Sequence, residues 1–299
     1  MGDRTQKVLR HWRWARQDGI SALVEEDDLR PISRASRAWR KWRWRRAHRV
    51  AAGTAMPIWL VGVQRSGTNM VVRGLEESPE VEVHNENDNA AFERFQLRPD
   101  PVVRGIVQSS RHRYVLFKPL CDSHRVDQLL ALDTRTPGRA IWAYRGVDGR
   151  VRSALAKFGD TNLRVLTDIA AGRGGDMWQA QRISADNLEL IRSFDWTSMT
   201  PASAAALFWY VRNSLFFDLG LDRRDDVLLS SYDALIASPE VGTRALASFL
   251  DLEWNPGLAA HIERRDGGRP DRLDLDPRVR AVCDQLEERL ATVAAAQTP

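Results

Sequence analysis

One stretch of this 299-residue chain, Ile58-Trp-Leu-Val-Gly-Val-Gln-Arg-Ser-Gly-Thr-Asn-Met70, limits its folds more than any other. Its first half is a short apolar run with β-branched residues, which reads as a buried strand. Gly62 and Gly67 bracket a polar turn, and from Thr68 to Leu75 the apolar residues Met70, Val71 and Leu75 return at helical spacing. Strand, glycine turn and helix in that order form an anion cradle. The first helical N–H groups have no intrahelical partner, and the helix dipole places partial positive charge at the same point.

A nucleotide-triphosphate loop of the G-x-x-x-x-G-K-[ST] type has the same glycine spacing, but Thr68-Asn69 stands where its lysine and hydroxyl residue belong. The positive charge sits earlier, at Arg65. Such a loop is poorly equipped for a magnesium triphosphate, yet Arg65, the hydroxyls of Ser66 and Thr68, and backbone amides suit a single 5′-phosphate. The plainer reading is a strand-to-helix turn that uses glycine for its backbone freedom. Gln64-Arg-Ser-Gly-Thr-Asn69 resembles the 5′-phosphosulfate loop of the sulfotransferases that use 3′-phosphoadenosine 5′-phosphosulfate (PAPS). Gln64 replaces that family's usual proline, and Asn69 its second hydroxyl residue.

Charge is uneven along the chain. Residues 1–50 hold 14 Lys and Arg against 6 Asp and Glu, while the remainder is mildly acidic within a net charge of +4. Arg34 to Arg49 contains eight basic residues and no acid, interleaved with Trp39, Trp42 and Trp44, and Trp12 and Trp14 form an earlier basic pair. Residues 1–50 therefore read as a basic helical extension preceding a catalytic domain over 51–299. Three roles stay open for it: packing its tryptophans on the main domain, peripheral contact with an anionic membrane, or an arm for polyanions. No nucleic-acid module accompanies it, so nucleic acid is not the expected partner. Cys121 and Cys283 predict buried, reduced thiols rather than a disulfide framework, hence a cytoplasmic setting. No apolar run reaches the length of a transmembrane helix, and no ligand spacing suggests a protein-held metal.

The other elements follow in order. Val81 and Val83 mark a second strand, followed by the turn His84-Asn-Glu-Asn-Asp-Asn89 and a helix-like Ala90–Phe95. Tyr114–Phe117 is a third strand that delivers Lys118 to its carboxyl end, where open α/β sheets bind ligands. Ala140–Tyr144 is a fourth, with Arg145 next and a helix from near Val151; Arg150 and Arg152 read as solvated. Lys157–Asp176, rich in glycine, reads as a loop or connector, Trp178–Ile191 and Pro201–Leu219 as long helices, and Asp226–Ser230 as a fifth strand. Trp209 reads as core. His261–Asp276 is loop-like and basic, and Arg278–Ala295 is a terminal amphipathic helix.

Two further segments strengthen the resemblance. Arg145 with Ser153 eight residues later matches the family's 3′-phosphate motif, and Ser231-Tyr-Asp-Ala-Leu235 with Pro239 and Phe249-Leu250 matches a later structural one. The likeness spans about Ile58 to Leu252. It implies a P-loop NTPase-like three-layer α/β/α sandwich around a mostly parallel five-stranded sheet. It also implies a PAPS-dependent enzyme, without a metal, that sulfates a hydroxyl or amine of a small-molecule, glycan or lipid acceptor. By the same resemblance Arg65, Ser66, Gly67, Thr68, Asn69, Arg145 and Ser153 bind the nucleotide. Lys118 sits near the bridging oxygen, and a carboxylate or histidine beyond the second strand takes the acceptor's proton. The family often places that histidine two residues after the lysine, where this chain has Leu120. Glu86 is therefore the first candidate base, with Asp88, His84, Asp122 and His124 behind it. A small-molecule kinase and a non-catalytic, membrane-associated nucleotide-binding protein are the alternatives.

Overall fold

A computed structural model of the chain describes residues 31–265 and 271–297. Two units are distinguished, Met1–Arg49 and Val50–Pro299. In the first, helix α1 (Pro31–His48) is described; Trp12 and Trp14 lie outside the described residues, as do Gly267, Gly268 and Arg269 of the basic loop.

The second unit is built on β1 (Met56–Gly62), every residue of which is buried. Strands β2 (Val81–His84), β5 (Tyr114–Phe117), β6 (Arg139–Tyr144) and β7 (Val227–Ser231) join it in the order β2-β5-β1-β6-β7. All four pairings are parallel. From β1 the chain runs outward to β2, returns to β5, then crosses to β6. The carboxyl end of β1 is thus the point at which an open sheet presents its crevice.

Alternation along β1 divides the core into two layers. Trp59 and Val61 face one cluster, with Trp142, Phe117, Trp209 and the helices Pro201–Asp218 and Pro277–Gln297. Ile58 and Leu60 face the other, with Val71, Leu75, Leu235 and Leu246. Burial of an aliphatic side chain of this kind contributes about 1.5–3 kcal/mol. Trp209 is core, as its apolar neighbours predict, and its indole N–H donates to Arg145 O at 2.9 Å, tying the core to the end of β6. Cys121 and Cys283 are buried free thiols.

The structure corrects several local readings. Ala90–Phe95 is not helical: β3 (Phe92–Glu93) and β4 (Gln96–Leu97) form a hairpin whose turn residues Arg94 and Phe95 have φ of 50° and 68°. Such turns usually advertise themselves with Asn or Gly, and this one does not. A helix at Asp100–Ser109 follows. The helix after β6 starts at Val147, not Val151. Its start is set from afar, by the carboxylates of Asp233 and Glu287 accepting from Gly146 N (2.7 Å) and Val147 N (3.0 Å). Lys157–Asp176 contains a helix, Thr161–Ala170; Gly159 and Gly172, at φ of 57° and 75°, terminate helices there rather than marking a loop. Trp178–Ile191 is broken at Arg182, whose φ of 57° is held by an ion pair with Asp127, and Ser184 caps a new helix.

Candidate active site

The turn after β1 is fixed at four points. At Gly62, the Ser123 hydroxyl accepts the backbone N–H at 3.0 Å, which secures the end of the strand. Gly62 has φ of 129°, and a Cβ there would meet Ala143 O at 2.2 Å, so only glycine lets β6 approach. At Gln64, the carbonyl accepts from Arg150 Nε at 3.3 Å. At Gly67, φ is 83° and a Cβ would lie 2.4 Å from Tyr232 Cδ2. At Asn69, the side-chain oxygen accepts from Lys118 Nζ at 2.6 Å.

Arg150 overturns its reading as a solvated residue. It is completely buried, donates to Asn162 Oδ1 and Ala205 O, and lies over the Phe208 ring. Burial pulls its guanidinium down to about 9, and the nearby charge of Arg65 adds to the effect. Arg152 is also not freely solvated: it donates to the Asp271 carbonyl. Two arginines brought this close, one of them buried, form a positive field that an anion would neutralise.

The helix starting at Thr68 (Thr68–Glu76) and the one starting at Val147 (Val147–Phe158) differ in one respect. Both begin at a glycine and so have no local side-chain cap; at the second, the distant carboxylates of Asp233 and Glu287 occupy the donors of Gly146 and Val147. Ser66, beside the start at Thr68, is buried with its Oγ lacking a hydrogen-bond partner. Thr68 is buried as well.

Arg145 and Ser153 each have their own neighbours. Arg145 stacks over the Tyr232 ring, with its guanidinium carbon 4.4 Å from the ring centroid, and lies so close to Gly149 that a Cβ there would meet Nε at 2.9 Å. That Nε is buried and has no hydrogen-bond partner. Ser153 Oγ instead accepts from Arg65 Nε at 3.0 Å. Tyr232 thus touches the glycine turn and Arg145 together, and Ser153 joins the turn to the helix behind Arg145.

Glu86 and Lys118 meet at 3.2 Å, both largely shielded from solvent. Burial raises the Glu86 carboxyl above its ordinary 4.5; the ammonium of Lys118 opposes this, and the charge of Asp122 adds to it. The chain therefore brings Asn69, Lys118 and Glu86 together at the carboxyl ends of β1, β5 and β2. Of the other candidate bases, Asp88, His84 and Asp122 are engaged elsewhere, and His124 Nδ1 is buried without a hydrogen-bond partner. Asp88 pairs with His84 Nδ1 at 2.6 Å and caps Ala90 N. His84 also faces Glu82 at 3.4 Å and stacks on Phe117. Asp122 accepts from Leu97 N and Arg125 Nε. Burial, reinforced by Arg212 and Arg125, pushes the His124 ring down to about 4. Leu120, at the position where the family's histidine would stand, is buried. Arg164 and Arg173 pair with Asp160 and Asp168.

Arg150 and Ser123, which fix the turn, are the residues that sequence reasoning missed. No local pattern marks them, because Arg150 binds backbone carbonyls and Ser123 binds Gly62 from 61 positions away.

No family model matches the chain, and no curated protein matches it. Among solved structures, 14 chains match. The chain is similar to the sulfotransferase domain from the curacin biosynthetic pathway, at 14% identity over 78% of this chain and 98% of that one, with a TM-score of 0.48. It is also similar to a sulfotransferase from Alicyclobacillus acidocaldarius (14% identity, 81% and 95% coverage, TM-score 0.44). A third is the sulfotransferase domain from the Synechococcus PCC 7002 olefin synthase (14% identity, 81% and 94% coverage, TM-score 0.40).

Proposed function

We propose that the chain transfers a sulfuryl group from PAPS to a hydroxyl or amine of a small-molecule, glycan or lipid acceptor. The observation that carries this reading is that two of the buried polar atoms without partners, Ser66 Oγ and Arg145 Nε, belong to the glycine turn and to the arginine that follows β6, and that Tyr232 lies against both Gly67 and Arg145. A buried donor left unpaired costs about 1–3 kcal/mol, so both are satisfied best by oxygens of a ligand with two separated phosphates. Ser66, Thr68, Asn69 and Arg65 would hold the 5′ end, and Arg145 with Ser153 the 3′ end.

When bound, the donor supplies the activated sulfuryl group and an adenosine bisphosphate that can leave. The chain's own residues hold charge and move a proton. Arg65, Lys118 and the helix start at Thr68 concentrate positive charge at the 5′ end. Glu86 accepts the acceptor's proton, and its raised pKa makes it a stronger base than an exposed carboxylate. Lys118, bonded to both Asn69 and Glu86, keeps that base beside the 5′ end.

The test is release of 3′-phosphoadenosine 5′-phosphate from PAPS across panels of sugars, lipids and small alcohols. At least one acceptor should stimulate release in the natural protein and not in Glu86→Gln. Stimulation undiminished in that variant would transfer the base role elsewhere. Stimulation by none, despite donor binding, would favour a non-catalytic nucleotide-binding protein.

A further inference from the structure

Helix α1 combines many basic residues with three tryptophans and contains no acid. Ala35, Ala38, Trp39 and Trp42 recur at i, i+3, i+4 and i+7 and form one stripe. All four are exposed, Trp39 at 55% and Trp42 at 46%, and they include the only exposed tryptophans among the described residues. Arg43 lies over the Trp39 ring at 5.2 Å and Arg46 over Trp42 at 4.9 Å. Each indole is therefore paired with a guanidinium on the same side of the helix. Pro31–His48 itself contains no acidic residue.

We propose that α1 docks flat on a bilayer surface that contains anionic lipid. Trp39 and Trp42 enter the boundary between headgroups and acyl chains, where an amphipathic indole is best accommodated. Arg43 and Arg46 meet the lipid phosphates beside them, as the positive charge of the helix requires of a partner. The helix is too polar to cross the bilayer: among the described residues, no helix is long and apolar enough to do so. A single-stranded nucleic acid would use the same charges and stack its bases on the indoles, but no nucleic-acid module accompanies the helix.

Sedimentation of the full chain with vesicles tests this. Vesicles of phosphatidylcholine alone are compared with equal parts phosphatidylcholine and phosphatidylglycerol, and a single-stranded RNA is titrated in parallel. The chain should pellet with the mixed vesicles and not with the neutral ones. Trp39→Ala with Trp42→Ala, and separately Arg43→Gln with Arg46→Gln, should each weaken partition by about tenfold or more. Alanine is the better helix former, so loss of helix would not account for the tryptophan result, and donor-dependent turnover should be unchanged. Equal partition of the tryptophan variant, equal binding to neutral vesicles, or tighter binding to RNA than to mixed vesicles would overturn the proposal.

Discussion

Arg65 sits in the left-handed region with φ of 72°, an uncommon place for a side chain of its size, and donates to Ser153. Arg65→Ala should lower kcat by about 10²–10³, the loss typical of one charge-stabilising donor, while circular dichroism stays unchanged. Near-normal turnover would remove Arg65 from the chemistry. Glu86 makes a sharper prediction. As a base it must be ionised, so the rate should fall as pH drops through its folded-state pKa, which burial has raised above 4.5. Because Lys118 lowers that pKa, Lys118→Met should move the acidic limb of the pH–rate profile to higher pH. A limb that stays in place in Lys118→Met would show that Glu86 is not the titrating group. Glu86 and Lys118 were singled out through the family resemblance, each just beyond a strand, and the structure brings them together at 3.2 Å. Local reading could not find Arg150, whose apolar surroundings come from Phe208 and Ala205 on a helix far along the chain.

At the level of elements, two helix starts with similar sequences of small residues behave differently. Both begin at a glycine without a cap of its own, and the start at Val147 is held instead by the distant carboxylates of Asp233 and Glu287. The distinction was not legible in the sequence, because the two carboxylates come from 87 and 140 residues away. The strand-turn-helix at Ile58–Leu75 was legible, since its burial pattern and glycines are local. Gly67→Ala should both destabilise the fold and abolish nucleotide binding: its Cβ would lie 2.4 Å from Tyr232 at a φ that alanine rarely adopts. A thermal melt and a binding titration on the same variant check both. The β2 edge carries a separate pH signature. Burial works against charge on His84, but Glu82 and Asp88 raise its pKa above 6.5. Burial likewise opposes charge on Glu82, but its bonds to His84 and Ser110 bring it from 4.5 to about 2. Stability from His84 is complete below 6.5 and fades as pH rises through its folded pKa; that from Glu82 is complete above 4.5 and fades as pH falls through about 2. Urea unfolding should therefore show both contributions together between 4.5 and 6.5, and Asp88→Asn should reduce the loss seen above that window. An unchanged profile in the variant would contradict the pairing.

On the scale of the whole unit, parallel strands in the order β2-β5-β1-β6-β7 bring Asn69, Lys118 and Glu86 together at the carboxyl edge of the sheet. Arg65, Arg145, Arg150 and Lys118 all come to that edge, and the buried Arg150 has carbonyls and an amide oxygen rather than a carboxylate among its bonded partners. An anion that neutralises this field should stabilise the fold, by about 2.7 kcal/mol at a ligand concentration 100 times Kd. The most direct test is calorimetric titration of the protein with 3′-phosphoadenosine 5′-phosphate, ADP, and ATP with magnesium. Preferential binding of the 3′,5′-bisphosphate, weakened at least about tenfold by Arg145→Ala, is the predicted result. Equal or tighter binding of ATP with magnesium, or a bisphosphate affinity indifferent to Arg145, would contradict it.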